Sequence, residues 1–395
     1  MSKYVIGRLF QAFNSLLRCD RARGGHITAT GVCVTIAVAA FANSALAEVP
    51  AKTRLKTVIT VPNVTEASGF YYDGSYVDVK RRLYYLGDRS TKGIDFVDIA
   101  TNKVIAQVSG IFAGQARNGD KLSNNISGPN ALAMVGPNEL WAGDGDSTIK
   151  VIDLIRSTHV ATIPTGGKAR TDFIVYDPDH HVVLATNKND SPPFVSFVDP
   201  KSRKVVAKLE IQAKSLDGAV YDPRQKRYLV SVGATAENPH GEVDAIDPLR
   251  HVVVARYPAP ECFPAGLALG PSDHLLVGCS DGAMAAGFKA KTLIMDATNG
   301  KILRTISEIG GSNFVTYNPG NKRFYLGARD MTEDGTKNTK NTPFLGIIDA
   351  VSLNFIENVP AAANCKTVAA DPKTNQIFMP LTASPSGPGI GVFSE

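Results

Sequence analysis

Short apolar stretches separated by polar turns run the length of this chain, and from Asn130 to Leu209 their order repeats. The two halves read NALAMVGPNELWAGDGDSTIKVIDLIRSTHVATIPTGG and RTDFIVYDPDHHVVLATNKNDSPPFVSFVDPKSRKVVAKL. Each begins with a short apolar strand, followed by a Gly-Pro or Asp-Pro turn and a strand rich in Val and Leu. A polar loop comes next, then an apolar strand ending in Asp, a basic turn and a Val/Ala strand. Short β-rich runs bounded by turn residues predict strands, and two copies of one four-strand unit in tandem predict a repeat protein.

The unit recurs six times in full. The aspartate closing its third strand falls at Asp98, Asp153, Asp199, Asp247, Asp296 and Asp349, a spacing of 46 to 55 residues, with the variation in the loop after the second strand. A seventh copy, TVAADPKTNQIFMPLTASPSGPGIGVFSE, supplies three strands. The missing strand is available at Arg54–Val61, whose RLKTVITV resembles the fourth strands KVIAQV and KVVAKL. Pairing it into the last sheet removes two free β edges and closes a ring. The fold predicted is all-β, a seven-bladed β-propeller closed by pairing of the N-terminal strand with the C-terminal blade. A composition of 35 Gly and 23 Pro with 20% charged residues in 395 suits many short strands and tight turns.

Residues 1–47 read differently. Lys3, Arg8, Arg18, Arg21 and Arg23 precede an apolar run from Thr30 to Phe41, and Ala-Asn-Ser-Ala-Leu-Ala ends at Ala47. Basic region, short apolar region and small-residue cleavage site predict a secretory signal peptide, leaving 48–395 as a single propeller in the periplasm or outside the cell. The apolar run is shorter than the roughly 20 residues needed to span a bilayer, so no membrane span is expected after its removal. The leader holds five Lys/Arg and Asp20, hence most of the formal charge of +5, and the mature chain is near +1. That balance weighs against nucleic acid, whose phosphates need clustered Lys/Arg.

The segments ELWAGDGDSTIKVIDLIRSTHVATIPTGG and HHVVLATNKNDSPPFVSFVDP resemble the YVTN-repeat β-propeller family, many of whose members are exported. The resemblance spans nearly all of 53–395 and implies the fold far more than a function, because one propeller scaffold hosts hydrolases, lyases and plain binding proteins. It leaves single-stranded nucleic-acid binding, reported within that family, as a further alternative.

Aligning the repeats on their Asp-Pro turns picks out the residue opening each innermost strand: Asp73, Ala131 (with Asn130 beside it), Asp172, Asp217, Ala265, Asn313 and Lys366. In a propeller these converge on one mouth of the axial channel. The loops after the second strands share that rim and add Asp88, Arg89, Asp144, Asp146, Asp190, Asp281, Arg329 and Asp330. Long irregular loops on a repetitive scaffold are where function concentrates. The opposite rim carries the short turns DPDHH, DPRQK, DPKTN, DIATN and DATNG, which read as structural.

Carboxylates and amides of this kind suit Ca²⁺ or Mg²⁺, with Asp73, Asp172 and Asp217 as ligands; the alternative is that they cap strand entries and bond loop amides. The stretch DGSYVDVKRRLYYLGD, from Asp73 to Asp88, is similar to the opening motif of the gluconolactonase/regucalcin family of propeller lactonases. By that resemblance Asp73 stands at the metal-binding glutamate, Asp217-Gly218 at an Asn-Gly that supplies a ligand, and Asp172 near a further asparagine. The Asp-Gly that supplies the family's acid/base falls here on Ala265-Gly266, which carries no proton, unless Glu261 or a neighbouring loop carboxylate substitutes.

Other chemistry is sparse. His159, His180, His181, His251 and His274 fall on turns or outer strands, and His240 alone sits in a functional-rim loop. No Gly-x-Ser-x-Gly elbow or Gly-rich phosphate loop is read in a strand-to-helix context, and no Cys-x-x-Cys occurs. Cys262 and Cys279 flank one hairpin and are candidates for a disulfide; Cys365 is then a thiol at the channel mouth. Trp141 reads as core or inter-blade packing. The function expected is binding of a small polar molecule or a protein partner at the channel mouth, by a monomer. Asp73, Asn130, Asp172, Asp217, Asn313, Lys366, Asp88, Arg89, Asp144 and Arg329 are the candidate contacts. A metal-assisted lactonase or lyase is the alternative.

Overall fold

The computed structural model describes residues 52–395. The proposed leader lies outside the described residues. Seven four-stranded antiparallel sheets follow one another along the chain, and each lays its first strand innermost and its fourth outermost. The first blade is representative, with strands Tyr72–Asp78, Leu83–Asp88, Gly93–Asp98 and Lys103–Val108. In the seventh, Ala369–Ala370, Ile377–Leu381 and Gly389–Ser394 are completed by Arg54–Ile59, which pairs antiparallel with the last strand from Arg54↔Ser394 to Ile59↔Ile390. The ring is therefore closed by strands from both ends of the described chain, as the leftover strand predicts.

The repeating aspartates are turn devices. Asp98, Asp153, Asp199, Asp247, Asp296 and Asp349 each accept backbone N–H groups two or three residues on, for example Thr101 at 2.7 Å and Ile155 at 2.8 Å. Asp78, Asp177, Asp222 and Asp371 do the same between first and second strands. Such a side chain imitates a backbone turn and costs no extra residue.

Apolar side chains of adjacent blades pack into seven clusters, one at each blade interface. Trp141, fully buried, lies between the second and third blades, and its indole N–H donates to Glu139 at 2.8 Å. Ile59 and Val61 join Tyr84, Leu86 and Val97 of the first blade, so the closing strand also completes a core. Burial of this kind, at roughly 25 cal/mol per Å² of apolar surface, holds each blade to the next.

Candidate functional site at the channel mouth

The mouth is shaped by an irregularity repeated at the strand entries. Pairing of the first and second strands slips between Tyr72 and Ser75, Thr171 and Ile174, Leu216 and Ala219, and Pro264 and Leu267. The residues inside these slips are Asp73-Gly74, Asp172-Phe173, Asp217-Gly218 and Ala265-Gly266. A bulge of this kind re-aims its side chains. At Gly74 an added Cβ would lie 2.6 Å from the Ala131 Cα, and at Gly218 2.4 Å from the Ala265 carbonyl oxygen, so glycine is what lets neighbouring inner strands touch. Backbone bonds then link the blades at this level, Ala131 N–H to the Asp172 carbonyl at 3.2 Å and Phe314 N–H to that of Lys366 at 2.9 Å.

The expected carboxylates do converge, but on built-in cations. Asp73, 3% exposed, accepts from Arg89 and has Lys366 Nζ at 3.4 Å and Arg170 at 3.6 Å. Arg170 donates to Asp172 at 3.1 Å, and Lys188 lies 3.5 Å from Asp172 while donating to Asp217. One chain of ion pairs thus runs from the seventh blade through the first and third to the fourth. Burial acts to raise the Asp73 carboxyl, but Arg89, Lys366 and Arg170 outweigh it and hold the group well below the usual carboxylate range. Lys366 is pushed down to about 7, first by burial and then by Arg89, Arg329 and Arg170, against the pull of Asp73.

This donor set does not fit a divalent cation. A metal at Asp73, Asp172 and Asp217 would have to displace Arg89, Arg170 and Lys188, and the charge it brings is already supplied. Among the described residues no group of three or more His, Cys, Asp or Glu is placed to hold a metal ion. Glu261, the possible substitute for the missing acid/base, is engaged by Lys291 at 2.8 Å.

Other candidates hold loops. Asp88 accepts from the Ser90 N–H at 2.6 Å, and Asp144 from those of Ala113 at 3.0 Å and Gly145 at 2.7 Å. Asn130 accepts from Arg89 and donates to the Thr171 carbonyl at 2.7 Å. Asn313 precedes the strand Val315–Asn318, and its N–H donates to the Gly327 carbonyl at 3.2 Å. Arg329 donates through Nε to Asp330 at 2.7 Å. Cys262 and Cys279 form the expected disulfide, with Cα atoms 4.6 Å apart. Cys365 is a buried thiol pushed up to about 12 by that burial.

Sequence reasoning missed three features. Lys188 follows the second strand of its blade as Arg89 and Arg329 follow theirs, so the repeat itself carried that signal. Arg170, two residues before Asp172, had no counterpart to flag it. The third is the connection between the first and second blades, which is far longer than the others and carries a small hairpin, Arg117–Asn118 with Lys121–Leu122. Its Asn124 accepts from Arg89 at 3.1 Å, and the Asn125 carbonyl from the Arg170 N–H at 2.8 Å, which places this loop over the ion pairs.

Beside that loop lies a cavity of about 180 Å³, lined by Tyr71, Tyr72, Arg89, Gln115, Leu122, Asn124, Arg329, Asn364 and Lys366. Three cations and no carboxylate face it. Its volume is below the roughly 300–1,000 Å³ of drug-sized sites, so it suits a ligand of few atoms. Arg89 is fully engaged, with Nε donating to the Pro129 carbonyl at 3.1 Å and its other nitrogens to Asp73, Asn124 and Asn130. The terminal nitrogens of Arg329 have no partner among the described residues.

No protein-family model and no curated protein matches this chain. Among solved structures it is similar to Kuenenia stuttgartiensis hydrazine synthase, with a TM-score of 0.53 and 17% identity over 65% of this chain and 80% of that one. It is also similar to a chain of a mitotic checkpoint complex, with a TM-score of 0.59 and 12% identity over 94% of this chain and 98% of that one. At these identities the likeness is one of fold. The YVTN-repeat and lactonase resemblances accordingly rest on their own residues.

Proposed function

We propose that this chain is an exported binding protein whose channel mouth takes a small anionic molecule. The observation that carries the reading is the cavity wall, which holds Arg89, Arg329 and Lys366 and no carboxylate, and where the terminal nitrogens of Arg329 have no partner among the described residues. Arg329 offers two terminal N–H₂ groups in a planar fork that matches a carboxylate or phosphate, and such charge-assisted bonds are the strong ones. Export draws support from the leader pattern of 1–47 and from a disulfide, which persists in oxidising compartments.

The alternatives draw less. A metal-assisted lactonase needs carboxylates free to ligate, and Asp73, Asp172 and Asp217 are held by guanidinium and ammonium groups. A nucleic acid needs a long basic track, whereas these cations line a small cavity.

The test is calorimetric titration at about 150 mM salt with small carboxylates and inorganic phosphate, against neutral molecules of the same size. Arg329→Gln should weaken the anion by about tenfold to a hundredfold, the value of one or two charge-assisted bonds. Equal affinity for neutral analogues, or binding indifferent to Arg329, would dismiss the reading.

A further inference from the structure

Lys366 is the amine in the cavity wall, and its counter-ion is shared. Asp73, 3.4 Å from Lys366 Nζ, is its one carboxylate within 4 Å among the described residues. That same carboxylate already receives Arg89 and has Arg170 at 3.6 Å. Three cations therefore draw on this one carboxylate, Arg170 alone among them having a second in Asp172, with Arg329 as a further cation nearby. Guanidinium groups keep their protons in proteins, so the amine is the member of the trio that can relieve the excess by losing one. Burial and the three arginines push it down to about 7, against about 10.4 for an ordinary lysine. An amine without its proton near neutral pH has a lone pair to give. Crowding by like charge is one of the ways a lysine becomes a nucleophile towards carbonyl carbon.

The cavity supplies the other half of the arrangement. Arg329 shares the wall with Lys366, and its terminal nitrogens have no partner among the described residues, which leaves them to an anion. A molecule that carries a carboxylate and a carbonyl group can engage both at once. We propose that Lys366 condenses reversibly with the carbonyl of a small oxo acid held in this cavity. The proposal rests on the anion-binding reading above and names the class of ligand. The nitrogen lone pair adds to the carbonyl carbon while the C=O π pair moves to oxygen, which takes a proton. The resulting carbinolamine loses water as the C=N bond forms. One water leaves for each imine made, and nothing is oxidised or reduced.

Reductive trapping tests this on the mature chain. The protein is incubated with pyruvate and cyanoborohydride, which converts an imine to a stable secondary amine, and the modified lysines are located by peptide mass. The adduct is expected on Lys366 ahead of exposed lysines such as Lys52 and Lys103, with a rate at Lys366 that rises through about pH 7. Lactate, the same anion with a hydroxyl in place of the carbonyl, should slow trapping. Lys366→Met should remove the site, with folding checked by circular dichroism.

Labelling of Lys366 no faster than that of Lys52 and Lys103, with lactate still binding by calorimetry, would overturn the imine and leave the anion site standing. Absence of both the adduct and lactate binding would overturn both readings. Rapid labelling that lactate leaves untouched would overturn the placement of the oxo acid beside Arg329.

Discussion

Phe173 and Phe314 stack with ring centroids 4.8 Å apart and planes inclined by 25°. Phe173 lies near the start of the inner strand of the third blade and Phe314 just before that of the sixth, so their contact crosses the axial channel one residue beyond the Asp172–Asn313 level. The ion pairs of the mouth therefore sit above an apolar crossbar.

Removing either ring should loosen the ring of blades without unfolding it. Both side chains are half-buried, so Phe173→Ala and Phe314→Ala should each cost about 1–3 kcal/mol. The double variant should cost less than the sum, by about 0.5–1.5 kcal/mol, the value of an aromatic pair. Denaturant titration of the four proteins measures this, and strict additivity would show that the rings do not support each other.

Arg170 bridges Asp73 and Asp172, and its loss leaves buried carboxylates short of counter-charge. Arg170→Met should destabilise by about 3–5 kcal/mol, the usual penalty for breaking a buried pair from one side. Combining it with Asp172→Asn should recover part of that loss. Thermal unfolding at fixed pH reads both.

Asp244 lies in the third strand of the fourth blade, fully buried, with neither carboxylate oxygen hydrogen-bonded. Burial, then repulsion from Glu242, raises it to about 7. A carboxyl raised in the folded state favours folding while it is protonated. Its contribution is complete below about pH 4, where the unfolded chain is protonated too, and is lost as pH rises through about 7. Stability should therefore fall by roughly 2–4 kcal/mol between pH 4 and pH 8 on this account. Asp244→Asn, which mimics the protonated form, should flatten that dependence. An unchanged pH profile in the variant would assign the slope to other groups.

The Cys262–Cys279 bridge closes a loop with a sequence separation of 17. A loop of that size contributes about 3 kcal/mol by restricting the unfolded chain. Cys262→Ser/Cys279→Ser should lower the unfolding free energy by about that amount in denaturant, and anion binding at the mouth should persist, because neither cysteine lines that cavity.

The amino-acid sequence alone determined the repeat, its sevenfold count and the closure, because these depend on local order. Alternating apolar strands, Asx turns such as Asp98 with Thr101, and a spare strand at Arg54–Ile59 can all be read without knowing what touches what. The same locality brought Asp73, Asp172, Asp217 and Lys366 to one mouth. Their chemistry was a tertiary decision. Oxygen donors read in isolation suggest a metal, and only the closed ring places Arg170 between Asp73 and Asp172, Lys188 on Asp217, and Lys366 at the carboxylate of a blade almost three hundred residues earlier. A residue's charge is written in the chain, but the partner that neutralises it across a blade interface is set by how the sheets pack.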